Sequence, residues 1–85
     1  MELYIETNHG FLHLRDVRLE PYDYEGRVWQ NAVGIVVDGA ATSRLFSATS
    51  TRREVPGKLV SYPLYGRKPY QDTDGKWRVS TVTCG

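Results

Sequence analysis

Three groups of residues in this 85-residue chain have types and spacings that could do chemistry. His9 and His13 lie four apart, Asp72 and Asp74 open an Asp-x-Asp-Gly run, and Tyr65, Arg67, Lys68 and Tyr70 crowd together with Gly66 and Pro69. Histidines four apart share a face of a helix or of an unbroken strand, which is how a metal site begins. His9, however, falls in an Asn-His-Gly turn, and only Glu6 or Asp16 stands near enough in sequence to be a third ligand. An Asp-x-Asp-Gly run starts a calcium loop, but the acid that closes such a loop is missing after Lys76, and Asp-Gly forms turns without any metal. We therefore expect no metal and no cofactor.

Covalent and acid–base chemistry fare no better. Asp23 and Glu25 flank a turn, where solvated carboxylates are ordinary. The serines lack the strand–turn–helix setting of an activated nucleophile. Cys84 is the single cysteine, so it forms no intrachain disulfide, and its place near the end of the chain offers no base or electropositive pocket to make it reactive. The chain is not expected to be an enzyme.

The third group carries more. Single-stranded nucleic acid is held by cations that follow the phosphates and rings that stack on bases. Tyr65 and Tyr70, with Trp77, are the candidate stacking residues; Arg67, Lys68, Lys76 and Arg78 are the candidate phosphate contacts, with Arg52 and Arg53 extending the track. Phe46 and Tyr62 share this half of the chain, but alternation with Val60 and Leu64 places Tyr62 in the core. Charge supports such a face: residues 1–40 hold seven acids against three bases, and residues 41–85 hold eight bases against three acids. Antiparallel pairing between the halves would cancel much of this. The same tyrosines and arginines suit a second reading, a small inhibitor or accessory factor that docks on a larger protein. Asp16, Glu20, Asp23 and Glu25 would then add an acidic surface.

The elements that must position these residues read as strands. Short runs rich in β-branched and aromatic residues near 2–7, 11–20, 27–37, 42–48, 58–66 and 76–83 are separated by turn signals. Asp38-Gly39 and Asp74-Gly75 are each expected to close a hairpin, since a two-residue turn needs positive φ at both central positions. In the second run the apolar set shifts parity, from Leu12 and Leu14 to Val17 and Leu19, which predicts a β-bulge at Arg15-Asp16. Gly34 is expected to provide a second bend. Thr51 and Glu54 have capping-box spacing, so one helical turn over 49–54, stopped by Pro56, is the most helix expected. Pro63 lacks a backbone donor and marks an edge strand.

The composition, 40% hydrophobic and 25% charged, describes a globular chain. We expect one all-β domain over residues 1–85: a small antiparallel barrel, OB-like or SH3-like, or a strongly bent sheet of about six strands. No apolar run is long enough for a membrane span and no leader is apparent, so a cytoplasmic location is expected. A homodimer joined through an edge strand is the expected remedy for open edges.

Overall fold

The computed structural model describes residues 1–45 and 48–82, with side chains for all of these except 41–45 and 48–52. Seven strands follow in chain order: β1 (Leu3–Thr7), β2 (Gly10–Tyr24), β3 (Arg27–Leu45), β4 (Ala48–Arg53), β5 (Leu59–Pro63), β6 (Tyr70–Gln71) and β7 (Trp77–Ser80). They form one mixed sheet in the order β4-β3-β2-β1-β7-β6, with β5 paired to β3 as well. There is no helix among the described residues. Residues 49–54, expected to make a helical turn, instead run as strand β4 up to Arg53. The capping-box spacing was outweighed by cross-strand pairing, with Thr51 opposite Thr42 and Ser50 opposite Ser43.

A single sheet has no second layer to pack on, so it must curl to cover one of its own faces. Leu3, Ile5, Leu12, Leu14 and Leu64 are fully buried on that inner face, joined by Val36, Val79, Ala32, Val17 and Tyr62. Two interruptions of the β2–β3 ladder provide the curl, between His13 and Leu14 and between Arg15 and Arg18. The second is the bulge read from the parity shift. Asp16 takes φ 54° there, and the bulge turns the Val17 N–H to the Met1 carbonyl at 2.8 Å. Gly34 crosses the bulge so closely that a Cβ would stand 2.9 Å from Val17 Cγ2 and 3.0 Å from the Arg15 carbonyl oxygen.

The first interruption skips Val37, directly before Asp38-Gly39, and here the expected hairpin does not exist. β3 runs through this pair without turning. Gly39 has φ 120°, and a Cβ on it would fall onto the Phe11 carbonyl oxygen. Bulges and tight turns make the same demand for positive φ, so the dipeptide alone does not separate them. Asp74-Gly75 does turn, but as the end of a three-residue loop. The Asp72 N–H donates to the Lys76 carbonyl at 2.8 Å, the Gly75 N–H donates to the Asp72 carbonyl at 2.9 Å, and Gly75 takes φ 83°. The two-residue turn is found at Glu25-Gly26, with φ 50° and 74° between the paired residues Tyr24 and Arg27.

The expectation of a wholly antiparallel arrangement is also corrected. β1 pairs antiparallel with β2 but parallel with β7, Tyr4 lying opposite Arg78. Alternation in β7 reports which face is buried and carries no information on strand direction. The path from β4 to β6 does not return on itself and β5 branches from β3, so among the described residues backbone pairing does not close the sheet into a barrel. Across the opening, the Tyr62 phenol meets the Thr81 side chain, whose hydroxyl donates to the Glu6 carbonyl at 3.0 Å. The segment 33–37 is central, flanked by β2 and β5. β5 is an edge strand, as Pro63 indicated. Lys58 accepts from Val36 and Leu64 donates to Gln30, so by alternation residues 59, 61 and 63 face the open edge. Pro63 therefore removes one of the few donors that edge presents.

Adding a methyl group at Gly34 should overpack the bulge and lower stability by about 1–3 kcal/mol. Denaturant unfolding of Gly34→Ala checks this, with Gly39→Ala expected to be worse because its added Cβ meets backbone. Burial pushes the Tyr62 phenol above the ordinary tyrosine range, opposed by its contact with Thr81. The unfolded chain then ionises first as pH rises. The stabilisation is complete below the unfolded pKa and is lost as pH climbs through the folded one. Tyr62→Phe should cost about 1 kcal/mol at neutral pH and reduce the alkaline loss of stability.

Candidate functional site

The nine residues nominated from sequence lie in three places. Lys76, Trp77, Arg78 and Tyr70 belong to the β6–β7 hairpin; Tyr65, Arg67 and Lys68 belong to the connection from β5 to β6; Arg52 and Arg53 end β4. They do not form one surface.

On the hairpin the strand alternation divides them. Trp77 pairs with Leu3 and shares the face of buried Val79, at the rim of the core, whereas Arg78 pairs with Tyr4 on the outer face. There the Tyr4 and His13 rings stack at 4.0 Å and 13°, a contact between neighbouring positions of β1 and β2. The Lys76 ammonium stands 5.2 Å and the Arg78 guanidinium 5.5 Å from the Tyr4 ring centre. Carboxylates already hold Arg78 and His13, while Lys76 has no ion pair among the described residues. Arg78 Nε lies 3.1 Å from Asp72 Oδ2, and Arg78 Nη2 donates to Asp74 Oδ2 at 2.9 Å. His13 Nε2 meets Glu2 Oε2 at 3.2 Å. The Asp72 and Asp74 of the calcium-like run are thus spent on Arg78 and on their own turn, Asp74 Oδ1 accepting from the Lys76 N–H at 2.9 Å. That backbone bond, with the Arg78 bond second, holds the Asp74 carboxyl below the usual carboxylate range. Beside this cluster a shallow recess of about 310 Å³ is lined by Tyr4, Glu6, Phe11, Tyr70, Arg78 and Ser80. With Arg78 matched by two carboxylates and Glu6 adding another, the recess offers an anion little attraction.

The β5–β6 connection is different. The Arg67 N–H donates to the Leu64 carbonyl at 2.9 Å, closing a turn whose central residues Tyr65 and Gly66 take φ 53° and 77°. Glycine is required at 66 because the turn lies on the indole of Trp29, where a Cβ would stand 2.8 Å from a ring carbon. Trp29 is fixed in turn by its Nε1–H donating to the Tyr24 carbonyl at 3.2 Å. A second recess of about 380 Å³ opens here, walled by Leu19, Val28, Trp29, Arg67, Lys68 and Pro69. Tyr65 is 58% exposed. Arg67 and Lys68 have no ion pair among the described residues. Sequence reasoning missed Trp29, Tyr4 and Phe11 as surface residues. Trp29 stands three residues after Gly26, where a hairpin outruns the core, and that position was the available signal.

At the third place Arg53 Nη2 donates to Asp38 Oδ1 at 2.7 Å, and Arg52 occupies the register position opposite Ala41. Phe46 and Cys84 lie outside the described residues. Among the described residues no three His, Cys, Asp or Glu side chains are grouped to hold a metal ion, and no helix is long and apolar enough to cross a membrane.

Fold and surface together define an all-β protein made of one curled mixed sheet. The chain matches no protein-family model, no curated protein and no solved structure.

The Asp74 interactions have a definite pH signature. A carboxyl held low stabilises its turn above the unfolded pKa, and the effect is lost as pH falls through the folded one. Hydrogen exchange should show the Lys76 amide protected above about pH 4 and progressively exposed below it. Asp74→Asn should abolish that pH dependence.

Proposed function

We propose that the protein is a non-catalytic binding module for single-stranded nucleic acid, which it takes at the loop between β5 and β6. The observation that supports this reading is the presence of two cations without carboxylate partners, Arg67 and Lys68, directly after exposed Tyr65. A cation not already matched by a neighbouring acid gains most from a phosphate, whereas Arg78 and Arg53 would have to give up carboxylates first. A base stacked on Tyr65 would contribute about 1–3 kcal/mol. The turn at Tyr65 and Gly66 is already formed, so little chain ordering opposes binding.

A second reading, docking on a larger protein as an inhibitor or accessory factor, is favoured by a different observation. Val28 is 69% and Leu19 37% exposed beside Trp29. Apolar side chains add nothing to phosphate binding, but they are what the centre of a protein interface contains.

Anisotropy titration of a labelled oligonucleotide across a salt series separates the two. For two phosphate contacts the logarithm of affinity should fall with the logarithm of salt at a slope of about −1.4, about 0.7 per contact. Arg67→Ala with Lys68→Ala should flatten that slope. Tyr65→Asn keeps a residue that tolerates positive φ, so it should weaken binding while leaving the slope unchanged. Absence of saturable binding at low salt would sink the nucleic-acid reading. A photo-crosslinker at position 28 that captures one protein, and ceases to do so after Trp29→Ala, would support the second.

A further inference from the structure

We infer that the recess between the β5–β6 loop and the β2–β3 hairpin is a nucleotide pocket, which takes one purine base against Trp29 and its phosphate at Arg67 and Lys68. The inference deepens the loop reading and rests on it for the phosphate contacts. It adds the base, the residues that receive it and a preference among bases.

The recess measures about 380 Å³, within the range of small-ligand sites, and its walls divide by chemistry. Leu19, Val28 and Pro69 supply apolar surface, and Trp29 supplies an aromatic ring. Gln30, next to Trp29 on β3, adds an amide whose side chain makes no hydrogen bond among the described residues. Arg67 and Lys68 line the same recess and have no ion pair among the described residues.

Each part matches one part of a nucleotide. A ring set in apolar surface receives the face of a base. An amide carries a donor and an acceptor side by side, as the edge of a base does. Two cations without carboxylates suit a phosphate. Base and phosphate are joined through one sugar, so the groups that hold them must lie close together. Here the turn at Gly66 rests on the indole and so sets Arg67 and Lys68 beside Trp29 and Gln30.

The ring is also held in place before any ligand arrives. Gly66 covers part of it, and its Nε1–H donates to the Tyr24 carbonyl at 3.2 Å, so little ordering opposes binding. An apolar protein side chain is the competing occupant, and the two cations decide against it. Covering them with apolar surface would take unpaired charge out of water, whereas a nucleotide brings the anion that offsets this. Exposed Tyr65 is left for a neighbouring base. A purine offers the indole a larger face than a pyrimidine, and stacking strength sets preferences of this kind.

The test is NMR of the isotope-labelled full chain titrated with adenosine monophosphate, uridine monophosphate and ribose phosphate, beside anisotropy with labelled oligoadenylate across a salt series. Adenosine monophosphate should shift the Trp29 Nε1–H and the Gln30 side-chain amide along with the Arg67 and Lys68 amides. Ribose phosphate should shift the loop alone and bind about 10-fold more weakly, and uridine monophosphate should fall between them. Trp29→Leu should weaken oligoadenylate about 10-fold and Gln30→Leu about five-fold, both with the salt slope unchanged because neither displaces ions. Hydrogen exchange of the Arg67 amide, which donates to the Leu64 carbonyl, verifies in each variant that the turn is intact.

The inference is overturned if ribose phosphate binds as tightly as adenosine monophosphate, if uridine monophosphate binds more tightly, if the shifts bypass Trp29 and Gln30, or if nothing binds at low salt. Strand binding that depends on Arg67 and Lys68 but on neither Trp29 nor Gln30 also overturns it, and leaves the loop reading standing. Adenosine monophosphate in the recess without strand binding does the reverse: the pocket stands as a site for a free nucleotide, and the loop reading falls.

Discussion

A sheet with no partner layer must make its own interior, and in this protein everything depends on where it bends. β2 and β3 form the longest ladder, and its two interruptions are the bending points. Neither is a property of one strand. The bulge at Asp16 displaces Val17 towards Met1, and Gly34 lets β3 pass over it at a separation that excludes a side chain. Gly39 does the same against Phe11. Leu3, Leu12 and Leu14 are fully buried because the sheet folds back over them at these points. The curl also brings Tyr62 of β5 to Thr81, so side chains bridge an opening that backbone hydrogen bonds leave unclosed.

The placement of β7 decides the electrostatics. Lying parallel to β1, it brings a basic stretch onto the outer face of the acidic N-terminal half. The hairpin acids Asp72 and Asp74 take up Arg78, and Asp38 of β3 takes up Arg53. Exposed ion pairs of this kind stabilise a fold by at most about 1 kcal/mol each. Their larger consequence is for binding, because a matched cation has less to gain from a new anion. The separation of acids and bases along the chain is therefore largely cancelled in space. Among the described residues, the cations left without an ion pair include Arg67 and Lys68, in the loop beside Trp29.

Much of the architecture was legible because it follows from local rules. The parity shift from Leu14 to Val17 located the bulge, since a two-residue period leaves no other way to keep both residues on one face. Pro63 marked an edge strand, and alternation put Tyr62 inside and Tyr65 outside. Asp38-Gly39 was misread because its requirement for positive φ is common to bulges and turns. Residues 49–54 were misread because a short capping signal cannot outweigh a strand partner at Thr42 and Ser43.

The candidate site was less legible, for a different reason. Residue types and spacing determined that this chain is all-β, that it has cations and rings without metal-site or nucleophile signatures, and that its second half is basic. Which cations remain free was decided only by the tertiary structure. Coulomb interactions depend on distance through space, and the carboxylates that engage Arg78 and Arg53 were placed there by strand pairing and loop geometry. Trp29 likewise gained its part when the turn at Gly66 came to rest on its ring, a contact between residues far apart in the chain. Period and propensity report each strand's buried face; strand order, direction and register choose its neighbours, and those choices sum many weak contacts across the whole sheet.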